Sequence, residues 1–119
     1  MEAFAHLKYL RMSPRKVKIE CDMIRGKDVK TAIAYIMQTP KAASEPMLKV
    51  LKSAIANAEN NHGAKGAADL TVKLCVLEES VRMRRYWPTA RGSAHPIARR
   101  LCHCRVVLAE SKKSKKGAK

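Results

Sequence analysis

Aromatic side chains are scarce in this sequence: one Phe, one Trp and three Tyr among 119 residues. The interior must therefore be aliphatic and rich in Ala, since the large rings that fill many cores are missing. Acids are few as well, 10 Asp and Glu against 25 Lys and Arg, which leaves a formal charge of +15. A compact domain with that imbalance repels itself and gathers anions around it. No stretch approaches the roughly 20 consecutive apolar residues of a membrane span. Met1-Glu2-Ala3-Phe4-Ala5-His6 offers neither the charged nor the apolar part of a secretory signal. Paired carboxylates, a phosphate-cradling Gly loop and a nucleophile–base–orienter set are all missing, so neither an enzyme nor a cofactor is expected.

What is present points to a polyanion. Apolar residues make up 46% of the chain, enough for a core, and the length suits one domain. The charge is unevenly placed. Residues 1–50 carry 10 basic and 5 acidic groups, residues 51–81 carry 3 and 4, and residues 82–119 carry 12 and 1. Within the last third, the basic residues from Arg82 to Arg105 are all Arg, whereas those from Ser111 to Lys119 are all Lys. Arg presents a planar fork suited to phosphates and base edges, and Lys a hydrated point charge. The division is therefore one domain over residues 1–110, containing a docked basic element, followed by a loose electrostatic tail over 111–119.

Four cysteines, Cys21, Cys75, Cys102 and Cys104, come without secretory context, so reduced thiols in a cytosolic compartment are expected. Cys102-His103-Cys104 invites a metal reading. In a strand, however, the two Cys face one side and His103 the other, and there is no CxxC pair to complete a zinc site. The expectation is buried Cys acting as small hydrophobes, with no metal.

Residues 4–12 read as a modest strand. Ser13-Pro14 opens a helix with Ser as cap and Pro in the first turn; Val17, Cys21 and Ile24 form its apolar stripe and Gly26 ends it. Asp28 caps a second helix with Val29, Ala32, Ile33 and Ile36 inward, stopped by Pro40. A third and longest helix carries Met47, Leu51, Ala54, Ile55 and Ala58, with Pro46 in its first turn, and ends at Asn60-Asn61-His62-Gly63. Its run from Ser53 to Asn61 is small on every face, which suits either tight packing on a sheet or close approach of RNA. Residues 70–77 alternate, with Leu70, Val72, Leu74 and Val76 on one face and Thr71, Lys73 and Cys75 on the other. Residues 97–108 are the partner strand, with Val106, Val107 and Leu108 in the core.

Between these strands almost nothing can be buried. Val81, Met83, Tyr86, Trp87, Ile97 and Leu101 are scattered among Arg82, Arg84, Arg85, Arg91, Arg99 and Arg100, and Pro88 and Gly92 mark a turn. From Glu78 to Pro88, at about 3.3 Å per residue, this makes an arm roughly 35 Å long. A lone two-stranded ribbon is marginal in water, so the arm needs an anionic partner to hold it. Tyr86 and Trp87 are placed to stack on bases or to pack the ribbon on itself. Arg11, Arg15, Lys16 and Arg25 are further candidates for RNA contact.

These motifs together resemble the L-twenty-two family of large-subunit ribosomal proteins, in its bacterial form, from Ala3 to Leu108. Ser13-Pro14-Arg15-Lys16-Val17, Ile24-Arg25-Gly26-Lys27, Lys41-Ala42-Ala43 and the run from Ser53 to Asn61 are similar to its helical motifs. Met83-Arg84-Arg85, Pro88, Ala90-Arg91-Gly92, Ala94 and Ile97-Ala98-Arg99-Arg100 follow its hairpin pattern, and His103 its returning strand. The resemblance implies an α+β fold, a small antiparallel sheet on three helices with one long protruding hairpin over about 78–105. It implies a structural role in the large subunit, with support of assembly and no enzymatic activity. The implied contacts with ribosomal RNA add Ser13, Lys27, Ser53, Asn57, Asn60, Asn61 and His103 to Arg11, Arg15, Lys16, Arg25, Arg82, Arg84, Arg85, Tyr86, Trp87, Arg99 and Arg100. The implied hairpin tip, Pro88, Thr89, Ala90, Arg91, Gly92, Ser93, Ala94 and His95, would line the tunnel that carries the nascent peptide. Neighbouring ribosomal proteins are the other implied partners.

The sequence departs from the family pattern at three places. Ser80-Val81 stand where Gly-Pro is usual, which bears on the geometry of the arm's base. Thr89 and Ser93 stand where Arg is frequent, which lowers charge at the tip. Leu101-Cys102 replace Thr-Ser, which removes hydroxyls. A DNA-compacting or RNA-chaperone protein is the competing reading, since charge alone does not separate RNA from DNA. A single basic arm with a defined turn, in place of a repeated basic motif, speaks against it. The domain begins at residue 3 with no transit peptide, so a bacterial cytosol is expected over an organelle, with neither membrane nor DNA as partner.

Overall fold

The computed structural model describes residues 2–66 and 69–111. Three strands, β1 (Glu2–Leu10), β2 (Leu70–Pro88) and β3 (Ala94–Glu110), form an antiparallel sheet in the order β1-β3-β2. Three helices, α1 (Pro14–Ile24), α2 (Val29–Gln38) and α3 (Ser44–His62), cover it. The fold is α+β, as the resemblance implied, and each element lies close to its expected place. The tail beyond Ser111 lies outside the described residues.

The core is aliphatic. Val17, Cys21 and Ile24 of α1, Val29, Ala32 and Ile36 of α2, and Met47, Leu51, Ala54 and Ala58 of α3 are fully buried. They meet Ala3 and Ala5 of β1, Val72 and Cys75 of β2, and Cys102, Cys104, Val106 and Leu108 of β3. Ala54 and Ala58 allow α3 to lie close to β1. At this contact the Asn57 side-chain amide donates to the Phe4 carbonyl at 2.9 Å, satisfying a group on the sheet's edge strand. Glu20 is also buried. It accepts from the Ser44 hydroxyl at 3.4 Å in the first turn of α3, where the helix dipole favours negative charge.

Three local expectations are corrected. Ser13 and Asp28 occupy the N-cap positions of α1 and α2, but neither side chain makes the capping bond. Their carbonyls serve instead, Ser13 accepting from Lys16 at 3.1 Å and Asp28 from Ala32 at 2.9 Å. The alternation over 70–77 breaks at a bulge between Val72 and Leu74. The extra residue turns Cys75 into the core and leaves Leu74 exposed, the reverse of strict period-two reading. The first strand begins and ends two residues earlier than the 4–12 reading. It bulges between Leu7 and Leu10, and Tyr9 takes a left-handed φ of 56°.

Candidate nucleic-acid interface

β2 and β3 continue far past the core as a two-stranded arm. The molecule measures 75 × 26 × 16 Å with a radius of gyration of 18.0 Å, against about 13.5 Å for a compact chain of this length. Pairing runs without interruption from Arg82↔Arg100 to Pro88↔Ala94. At the arm's base a second bulge, between Glu79 and Arg82, falls on Ser80-Val81, where the sequence departs from the family pattern. A second departure, Leu101-Cys102, is buried.

Register and the two-residue side-chain period sort the arm into two faces. Arg82, Arg84 and Tyr86 share one face with Arg100, Ala98 and Pro96 opposite them. Met83, Arg85 and Trp87 share the other with Arg99, Ile97 and His95. Each face thus carries arginines and one aromatic ring. Tyr86 is 77% exposed and Trp87 59%, so the ribbon does not bury them. Arg82 and Arg100 are direct cross-strand partners, an arrangement that repels in the absence of an anion. The sole carboxylate paired to an arm arginine, among the described residues, is Glu79, 2.7 Å from Arg82. The hydrogen bond from Arg82 and its charge hold the Glu79 carboxyl below its ordinary range.

The tip is a built turn. Thr89 N–H donates to the Ser93 carbonyl at 2.8 Å, and the Thr89 hydroxyl donates to the same carbonyl at 2.9 Å. The Ser93 hydroxyl donates to the Ala90 carbonyl at 2.8 Å. Arg91 sits at φ 61° and Gly92 at φ 70°, so one non-glycine residue is held in left-handed backbone at the turn's apex. The sequence placed Thr89 and Ser93 at the tip and marked their lower charge, without the hydroxyl bonds that close the turn. The signal that could have found their role is a pair of hydroxyl residues four apart across a turn.

The remaining candidates divide. Arg11, Ser13 and Lys16 converge with Met83, Arg99 and Arg100 on one groove between the start of α1 and the base of the arm. Arg15, Ser53, Asn60 and Asn61 are exposed. Four others are engaged inside the protein. Arg25 donates to the Cys75 carbonyl at 2.7 and 3.3 Å and pairs with Asp22 at 3.0 Å. Lys27 lies 3.9 Å over the Tyr35 ring, and Asn57 holds Phe4. His103 Nδ1 accepts the Tyr9 N–H at 3.0 Å, and the two rings meet edge to face at 4.8 Å. His103 thereby takes up the amide that the β1 bulge withdraws from the ladder. No helix among the described residues is long and apolar enough to cross a membrane.

Comparison with known proteins agrees with this architecture. Residues 5–109 match the family model described as ribosomal protein L22p/L17e. Relatives named large ribosomal subunit protein uL22 are similar along nearly the whole chain. The Myxococcus xanthus protein is 44% identical, covering 95% of this chain and all of the relative. Those of Thermoanaerobacter sp. (strain X514) and Thermotoga sp. (strain RQ2) are 46% and 43% identical, covering 92% and 95% of this chain and 98% and 70% of the relative. With the sheet, the helices and the arginine-bearing arm in place, the chain belongs to the ribosomal protein L22p/L17e family.

Proposed function

We propose that this protein binds large-subunit ribosomal RNA, threading its arm through the RNA so that the tip lines the path of the nascent peptide. Family membership makes it a structural, non-enzymatic constituent of the large ribosomal subunit. The observation that carries the finer reading is the two-faced arm. A basic ribbon laid on a polyanion needs arginines on one face; this one has Arg82, Arg84 and Arg100 on one and Arg85 and Arg99 on the other. Such an arm is satisfied when phosphates surround it. Guanidinium–phosphate bonds and ring stacking by Tyr86 and Trp87 are the means by which structured RNA is recognised. The groove of Arg11, Lys16, Arg99 and Arg100 would seat a further stretch of backbone where the arm leaves the domain.

Thr89 to Ser93 then form a preshaped end whose hydroxyls are occupied with each other, leaving Arg91 to face whatever passes. The test places a photoreactive residue at position 91 and, separately, at position 99. Crosslinks from 99 to large-subunit RNA and from 91 to nascent peptide in translating ribosomes are expected. If position 91 never meets nascent peptide, the tunnel role fails; if position 99 never meets RNA, the threading role fails. Retention on large subunits after a high-salt wash separates this function from DNA compaction or general RNA chaperoning.

A further inference from the structure

The cysteines were expected to be inert filler, and Cys102-His103-Cys104 is indeed split across the sheet, with His103 turned toward Tyr9. The packing makes a different set. Cys21 from α1, Cys75 from β2 and Cys104 from β3 bring their Sγ atoms within 4.8 Å of one another. Cys21 and Cys104 are 4.0 Å apart, and Met47 Sδ lies 3.6 Å from Cys104. All three are buried and free. Three residues distant in sequence meet here because the bulge after Val72 turns Cys75 inward.

We propose that Cys21, Cys75 and Cys104 form a three-thiolate site for a trivalent, thiophilic centre, arsenic(III) supplied as uncharged arsenous acid. Geometry supports the coordination. Sulfurs bonded to a common atom at about 2.3 Å, the length of a zinc–thiolate bond, lie roughly 3.5–4 Å apart, so only the third sulfur needs to close in. Among the described residues no carboxylate or imidazole joins the cluster, so hard ions lack their ligands. A structural zinc site would want four strong donors, and a thioether is a poor fourth.

Charge selects among soft ions. Three thiolates with a trivalent centre make a neutral group; a divalent ion leaves one negative charge and a monovalent ion two, costly in an apolar core. The approach agrees. A cleft between α1 and β2, rimmed by Arg15, Lys18 and Arg25 with Glu79, lies over the buried Cys21. Its three cations repel metal cations and leave a neutral oxyacid unaffected. The exchange is balanced without oxidation: arsenous acid and three thiols give three As–S bonds and three waters, each thiol proton leaving with a displaced hydroxide.

The experiment titrates the reduced, folded full chain with arsenous acid in the absence of oxygen. Native mass spectrometry should show one arsenic gained and three hydrogens lost per chain. Alkylation in denaturant that leaves the adduct intact should then find Cys102, itself buried in the folded chain, as the one thiol still free, and the melting temperature should rise by mass action. Cys102→Ser should keep the adduct, and Cys21→Ala, Cys75→Ala and Cys104→Ala should each lose the three-thiol species. Should these variants fail to fold, the alkylation pattern of the unmodified chain still decides. No adduct on the folded chain, an adduct that leaves Cys21, Cys75 or Cys104 free, or tighter retention of zinc or copper(I) than of arsenic overturns the proposal.

Discussion

Replacing Arg84, Arg85, Arg99 and Arg100 together by Gln tests the arm most directly. All four residues are exposed and none belongs to the buried core, so the folded domain should tolerate the change. Surface substitutions of this kind usually cost no more than about 0.5 kcal/mol each, and here the loss of Arg100 also relieves its opposition to Arg82. Binding should respond very differently. Each charge-assisted bond to phosphate contributes roughly 1.5–3 kcal/mol, and each phosphate that is no longer neutralised should lower the salt slope by about 0.7–0.9. If all four arginines engage RNA, the slope should fall by about 3 units, and the arm should no longer dock. The assays are thermal unfolding, binding of large-subunit RNA at several salt concentrations, and incorporation into large subunits in cells. An unchanged slope with normal incorporation would refute the reasoning. A large drop in melting temperature would show that the arm supports the core, which is equally contrary to it.

Amide hydrogen exchange on the free protein should show protection for β3 from Cys102 to Leu108 and for Val72 to Val76 of β2, with far less over 82–96; uniform protection there would show a self-supporting arm. His103→Ala leaves the exposed Tyr9 amide to water in place of its acceptor and should lower stability by about 0.5–1.5 kcal/mol, read from the urea midpoint; an unchanged midpoint would mean that the bulge closes without the imidazole. Glu79 should titrate below its ordinary 4.5 because Arg82 stabilises its charged form. A lowered folded-state value means that this pairing contributes above the ordinary pKa and is lost as pH falls through the lowered one. Carboxyl NMR should show the midpoint rising in Arg82→Gln, and a midpoint indifferent to that change would dismiss the ion pair. Deleting residues 112–119 should reduce the salt slope of RNA binding without changing cooperative unfolding, and an unchanged slope would remove the Lys tail from the interface.

The sequence by itself determined the helices, the arm and the sign of the partner. Helical spacing of Val17, Cys21 and Ile24, and of Met47, Leu51, Ala54 and Ala58, describes faces that stay apolar wherever they pack. The lack of anything to bury between Arg82 and Arg100 is a fact of composition, so a protruding ribbon was legible without coordinates. What the tertiary structure decided turns on single-residue shifts and on meetings between distant segments. A bulge moves every later side chain to the opposite face, and no local pattern announced the ones after Val72 and Leu7. Which candidates remain free for a partner was likewise undecided, because Arg25, Asn57 and His103 find their acceptors and donors on β2 and β1, tens of residues away. The same holds for the three thiols. Spacing along the chain separates Cys21, Cys75 and Cys104, and only the docking of α1 on the bulged sheet brings them together.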